Sequence, residues 1–243
     1  MTGFQKQVNN QPAPGVAGAF ASANPRAIYV TGPGGLVAGT NGVSVARFGW
    51  ATPVSGSLDN GERVDSNAAL VAAGAARTPS LFVANTQQGN FVTYLAESGL
   101  SILPGMAMEG FTRGDFWAAC TTAATRGQKA FANLLDGSIA AAAAGATIAS
   151  NAITASFATN VMTVTATAAT LKIGQIITGA NIPANTFITS FGTGTGGNGT
   201  YNLSTSPGTL SSQAAVGSDY VETRFSILNT CLINELAKIG YGD

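Results

Sequence analysis

The stretch AITASFATNVMTVTATAATLKIGQIITGANIPANTFITSFGTGTGGNGTYNLS, residues 152–204, decides the fold class. In VMTVTAT, residues 161–167, Met162, Val164 and Ala166 point one way, and Val161, Thr163, Thr165 and Thr167 the other. That period of two, on residues favoured by the pleat, is the pattern of a half-buried strand. Further short apolar runs follow, divided by TGANIPAN, GTGTGGNGT and SPG. Short strands between Gly and Pro breaks predict a small sandwich or barrel.

Composition sets this stretch apart. From Gly137 through Ser218 the only charged residue is Lys172. Charge returns in DYVETRFSILNTCLINELAKIGYGD, residues 219–243, which resembles the first half. We therefore expect an extended N-terminal arm over 1–26 and a β base domain from 27–140 plus 219–243. The neutral Gly/Thr-rich β module, 141–218, is expected as an insertion; a plain tandem of two domains is the rival. The arm is rich in Asn, Gln, Pro and Gly, and Pro12, Pro14 and Pro25 lack a backbone donor. It either frays or lies extended on a neighbour.

The base domain also reads as β. AIYV, LVAG, VSVARFGW, LFVAN and FVTYLA are apolar runs between Gly clusters, and Thr40-Asn41-Gly42 reads as a hairpin turn. Met106 to Cys120 reads as one or two strands broken at Gly110 and Gly114. RGQKAFANLLDG, residues 126–137, predicts a strand ending in the Asp136-Gly137 turn. Helical periodicity is weak, the best candidates being Ser66 to Ala76 and Leu232 to Ile239. The expected fold class is all-β: a barrel or sandwich base with a second, small β-sandwich or barrel inserted.

Charged residues are 9% of the chain, against roughly 25% in ordinary soluble domains. Eleven Lys and Arg balance eleven Asp and Glu, so net charge is zero, which favours association. No basic run offers the positive field that nucleic acid or an anionic membrane requires. The opening MTGFQKQVNNQPAPG has no apolar core of a secretory signal, and no apolar run is long enough to span a bilayer.

The chain has no histidine, which removes Ser-His-Asp and Cys-His catalysis and the commonest metal ligand. Asp59, Glu62 and Asp65 lack calcium-loop spacing and read as a solvated turn. Gly194, Gly196 and Gly199 satisfy GxGxxG, but strand-like TYNLSTSPG follows where the dinucleotide motif needs a helix. They read as a mobile hairpin tip. Cys120 and Cys231 read as buried free thiols of a protein made in a reducing cytoplasm, with a disulfide left open. No catalytic residue, cofactor or metal is expected. Arg113, Gly114 and Asp115 form an RGD triplet among aromatics that serve either core or interface. The candidates for an interface with a partner protein or subunit are Phe4, Trp50, Phe111, Arg113, Phe116 and Trp117.

GFTRGDFWAACTTAATRGQKAFANLLDGSI, residues 110–139, resembles the phage structural cement (capsid decoration) proteins. The opening GFQKQVNNQPAPGVAGAFASANPR and the closing VETRF are similar to the same family. Residues 152–204 are similar to a β module of phage virion and tail-associated proteins. The resemblance implies a non-enzymatic protein on the outside of the expanded capsid, locking capsomer junctions. Its partners would be the major capsid protein and further copies of itself, as a dimer or trimer, with no nucleic acid and no membrane. It would be made in the bacterial host cytoplasm. The alternative is a tail or head-fibre component with glycan binding, though the module has only Phe157, Phe187, Phe191 and Tyr201 as stacking platforms.

Overall fold

The computed structural model of the protein describes residues 15–53, 61–64, 66–69, 78–86, 100–148 and 151–241. Among them there is no helix, and the fold is all-β. The first strands in chain order are β1 (Ala27–Ile28), β2 (Leu36–Ala38), β3 (Val43–Ser44), β4 (Phe48–Gly49), β5 (Ala51–Pro53) and β6 (Glu62–Val64). Then come β7 (Leu81–Phe82), β8 (Ser101–Ile102), β9 (Phe111–Arg113), β10 (Asp115–Ala119), β11 (Lys129–Asn133) and β12 (Ile139–Ala142). The neutral stretch supplies β13 (Asn151–Ala158), β14 (Val161–Thr167), β15 (Ile176–Gly179), β16 (Ile188–Phe191), β17 (Gly199–Leu203) and β18 (Leu210–Ser218). The chain closes with β19 (Tyr220–Ile227) and β20 (Leu236–Tyr241).

Two sheets carry the main core. One is four-stranded, ordered β1-β9-β7-β4; the other is five-stranded, ordered β10-β20-β19-β11-β12. They meet through phenylalanines. Phe116 of β10 lies 4.7 Å, centroid to centroid, from Phe82 of β7, and 5.5 Å from Phe111 of β9. Phe225 of β19 sits 5.4 Å from Phe48 of β4. The chain passes from one sheet to the other at Gly114, whose φ is +133°. A Cβ there would stand 2.9 Å from the Phe116 ring. The Gly of the RGD triplet is thus the corner that brings Phe111 and Phe116 together.

β13 to β18 form a six-stranded antiparallel sheet, ordered β15-β18-β13-β14-β17-β16. Its first and last strands meet at the Ile176–Phe187 bridge, with the Ile188 N–H donating to Gln175 O and Ile177 N–H to Thr186 O. The sheet therefore curls round until its end strands meet over this short bridge, in the manner of a small barrel. Its interior holds Ile153, Phe157, Met162, Val164, Ile177 and Tyr201, a cluster separate from the main core. The alternation read in β14 holds for Met162 and Val164, both buried. It fails at Ala166, which is exposed, because a bulge between Thr154 and Ala155 of β13 shifts the register.

Tyr201 anchors the glycine-rich loop that joins β16 to β17. Its hydroxyl donates to Gly197 O and accepts from the Gly196 N–H at 3.1 Å. Gly194 packs on its ring, and the Leu171 N–H donates to Gly196 O at 2.7 Å. The glycines do form a hairpin tip leading into a strand, but the tip is tied to the barrel wall.

Several expectations need correction. Thr40 to Gly42 does turn, with the Gly42 N–H donating to Gly39 O, yet no hairpin forms. β2 runs parallel to β6, and β3 pairs with β8, because partners distant in the chain outcompete the local one. The weak helix candidate at Leu232 to Ile239 is a left-handed turn at Asn234 followed by β20. Pairing with β10, from Asp115 opposite Gly240 to Ala119 opposite Leu236, overrides its weak helical preference. Ser66 and Asn67, at the start of the other helix candidate, are also left-handed (φ 48° and 57°). Residues 70–76 of that candidate lie outside the described residues, as do FVTYLA, Asp59 and Asp65. The last part of the expected arm, from Gly15, lies on its own protomer. The Gly18 N–H donates to Trp117 O, Trp117 N–H to Ala19 O and Ala21 N–H to Asp115 O, which covers the free edge of β10. Phe20 then fills the gap beside Phe111 and Phe116. Residues 1–14 of the arm, with Phe4, lie outside the described residues.

Two predictions follow from this packing. Gly137 has φ +69°, and a Cβ there would lie 2.0 Å from Phe48 O. Gly145 has φ +72° with nothing within 4 Å. Gly137→Ala is expected to lose at least about 2 kcal/mol more than Gly145→Ala, seen as a Tm roughly 5 °C lower by circular dichroism. Equal losses would contradict the close approach. Tyr201→Phe should leave the Gly196 N–H and Gly197 O without a partner, at about 1–3 kcal/mol. Hydrogen exchange at Gly196 and Leu171 should then speed up selectively.

Candidate functional site

Among the described residues no group of three or more His, Cys, Asp or Glu side chains is placed to hold a metal ion. The surface that carries recognisable chemistry is instead one edge of the base. Among the described residues β1 is the end strand of its sheet, so one side of its backbone has no strand partner there. Along residues 26–30 exposure alternates: Arg26, Ile28 and Val30 are exposed, Ala27 and Tyr29 only partly. Ile28 is 54% exposed and Val30 88%. This is the reverse of the usual pattern, in which a strand turns its β-branched residues inward. Apolar side chains on an open edge are what native proteins avoid unless the edge is covered by a partner.

Beside this edge lies an open cleft of about 440 Å³, lined by Asn24, Arg26, Arg113, Asp115 and Tyr241 among others. β1 and β9 place it: Ala27 is opposite Arg113 in register, so Arg26 falls next to the β9–β10 corner. Gly114 belongs to this wall too, since its Cβ would lie 3.3 Å from that of Arg26. Each guanidinium lies over a ring. Arg26 sits 3.9 Å from the Phe20 centroid, and Arg113 4.4 Å from that of Tyr241. The carboxylate of the triplet is already taken. Asp115 Oδ2 accepts from Ser22 Oγ at 2.6 Å and from Asn24 Nδ2 at 2.8 Å, with Lys238 Nζ at 3.7 Å. Among the described residues neither Arg26 nor Arg113 meets a carboxylate.

The interface residues expected from sequence separate cleanly. Trp50, Phe111 and Phe116 are 1%, 4% and 0% exposed, so they serve the core and present nothing to a partner. Trp117 is half-buried under Gly15, whose Cβ would lie 2.7 Å from the indole. Arg113 is exposed and belongs to the cleft. Phe4 lies outside the described residues. Sequence reading missed Arg26, Ile28, Val30 and Tyr241. The one available signal was the alternation in RAIYV, but an apolar strand reads alike whichever face it turns to solvent.

The two cysteines lie together. Ala124 and Cys231 form an isolated bridge, the Asn234 N–H donates to Cys120 O, and both cysteines are buried free thiols. Burial, then the neighbouring Cys231, pushes the Cys120 thiol up to about 12. Burial raises Cys231 as well. A raised thiol keeps its proton longer in the folded state. Its contribution to stability is therefore complete below the ordinary thiol range and is lost as pH climbs from there toward 12. The native protein should resist an aromatic disulfide reagent at pH 8 and react at two thiols once denatured in guanidinium. Fast reaction of the native protein would refute the burial.

A protein-family model described as XM1 gp53 minor capsid protein matches residues 4–224. No curated protein matches the chain. The family match takes in most of the arm, Arg26 and Arg113 of the cleft, and all of β13 to β18, ending just before Phe225, and it carries the expected association with a phage virion. The chain belongs to the XM1 gp53 minor capsid protein family, a family of phage structural proteins.

Proposed function

We propose that this minor capsid protein is a cement protein: it binds the outer surface of the expanded capsid and stabilises the junctions between capsomers. The observation that carries this reading is the apolar surface at β1 and just after it, with Ile28 and Val30 exposed beside two arginines. An apolar centre rimmed by Arg is the usual anatomy of a protein–protein interface. Zero net charge and few charged residues remove the self-repulsion that keeps copies apart. Its partners are the major capsid protein and neighbouring copies, as a dimer or trimer. Binding energy comes from many modest contacts repeated over the lattice, where multivalency multiplies each one. The role is passive and non-enzymatic, and the protein is made in the bacterial cytoplasm before it joins the shell. We read the closed barrel as an inserted unit that faces away from the shell.

A fibre with glycan-binding loops is the less favoured reading. Sugar recognition uses exposed rings, and Phe191 of the barrel is the one exposed aromatic among the described residues. Its ring stands edge-on to Tyr201.

The test is co-sedimentation of the purified protein with expanded, undecorated shells of the parent phage, with unexpanded procapsids alongside. Saturable binding to the expanded shell alone is the expected outcome and gives the copy number. Equal binding to procapsids, or none to either shell, would overturn the proposal.

A further inference from the structure

We propose that the cleft between Arg26 and Arg113 is a carboxylate-binding site, and that its occupant is an Asp or Glu side chain of the protein on which this chain docks. The inference rests on the capsid-binding reading and names the chemistry of the partner's side of that contact.

Three features lead there. First, the guanidiniums are held in place before anything binds. Each is stacked on a ring, Arg26 on Phe20 and Arg113 on Tyr241. Stacking uses the flat face of a guanidinium and leaves its N–H edges free, and these edges match a carboxylate two bonds at a time. Pre-ordering also removes much of the side-chain entropy that binding would otherwise cost. Second, the acid that belongs to the same triplet is occupied elsewhere. Ser22, Asn24 and Lys238 all point at Asp115 Oδ2. Gly240, opposite Asp115 in register, leaves room for this, since a Cβ there would fall on Asp115 Oδ1. Among the described residues the cleft's two cations therefore have no acid partner, while its one acid is balanced by Lys238. Third, the surroundings select a protein. Exposed Ile28 and Val30 follow Arg26 at alternate positions along residues 26–30. A phosphate polymer gains nothing from such residues, and two isolated arginines are too few to grip one. A folded partner with an acidic side chain next to an apolar patch satisfies both halves of the surface.

The experiment has two arms. In the first, wild type, R26Q/R113Q and R26K/R113K are co-sedimented with expanded shells. The glutamine pair is expected to bind at least tenfold more weakly. The lysine pair should fall between, because it keeps the charge and loses the planar fork. Near-UV circular dichroism confirms that the variants fold. Glutamine variants that bind like wild type would overturn the proposal. In the second arm, wild-type protein is titrated with a hexaglutamate peptide, a hexaglutamine peptide, inorganic phosphate and a short single-stranded DNA, and the arginine Nε–H signals are followed by NMR. Saturable shifts of Arg26 and Arg113 with hexaglutamate, at least tenfold weaker with phosphate and absent with hexaglutamine, are expected. No shift with hexaglutamate, or tighter binding of phosphate or DNA, would overturn the site. Failure of wild type to bind shells would sink the capsid-exterior reading alone, and the peptide titration would still decide the cleft.

Discussion

Everything in the base turns on the stacking of phenylalanines between its two sheets, and Phe116 is where the stack is joined. Its ring touches Phe82, Phe111 and Phe225 from three strands, and Phe20 from the segment that precedes β1. Burying one such ring contributes about 1.5–3 kcal/mol, and each well-placed aromatic pair about 0.5–1.5 more. The strands themselves are mostly two to five residues long, too short to hold register by backbone bonds alone. The cluster supplies what the ladders lack. It also sets the position of the surface site, because Phe20 both fills the core and carries the Arg26 guanidinium on its outer face.

The fold class was legible because period-two patterning and Gly punctuation are local properties. β14 shows Met162 and Val164 inward as its alternation requires, and the Asp136-Gly137 turn closes β11 as read. What escaped was non-local. Nothing near Thr40 to Gly42 announces that β2 will pair in parallel with β6. Leu232 to Ile239 has its strand character imposed by β10, more than a hundred positions earlier. The site was half legible for the same reason. Arg113 stood out because it sits in an aromatic-rich motif. Arg26 did not, since its neighbour across the sheet is visible only once Ala27 and Arg113 are paired. Phe111 and Phe116 drew attention as large rings, which suit an interface and a core equally well, and both are buried in the core.

Low charge is handled differently in the two halves. The barrel has Lys172 as its only charged residue, and it stays compatible with water through exposed Thr, Ser and Asn on its wall. Lys172 itself reaches back to Asp219, 3.4 Å away, at the point where the chain leaves the barrel. The base keeps most of the charges and also keeps one apolar edge open. Surface neutrality is therefore spread evenly over the barrel and broken locally on the base, where Arg26 and Arg113 stand beside Ile28 and Val30.

The barrel is entered and left at nearly one point. Asn151 pairs with Gly217, and Ser218 Oγ donates to Ile148 O at 2.6 Å. Seen from the base, the whole barrel is a loop whose ends are already held together. Loop-closure cost grows only with the logarithm of length, about 0.6 kcal/mol per doubling. Exchanging that loop for another closed unit, or for a short turn, changes little for the aromatic sandwich beyond the seam at Ile176 and Lys172. Such a site is a natural socket for exchange: one closed unit can be traded for another while the stacked phenylalanines of the base keep their packing.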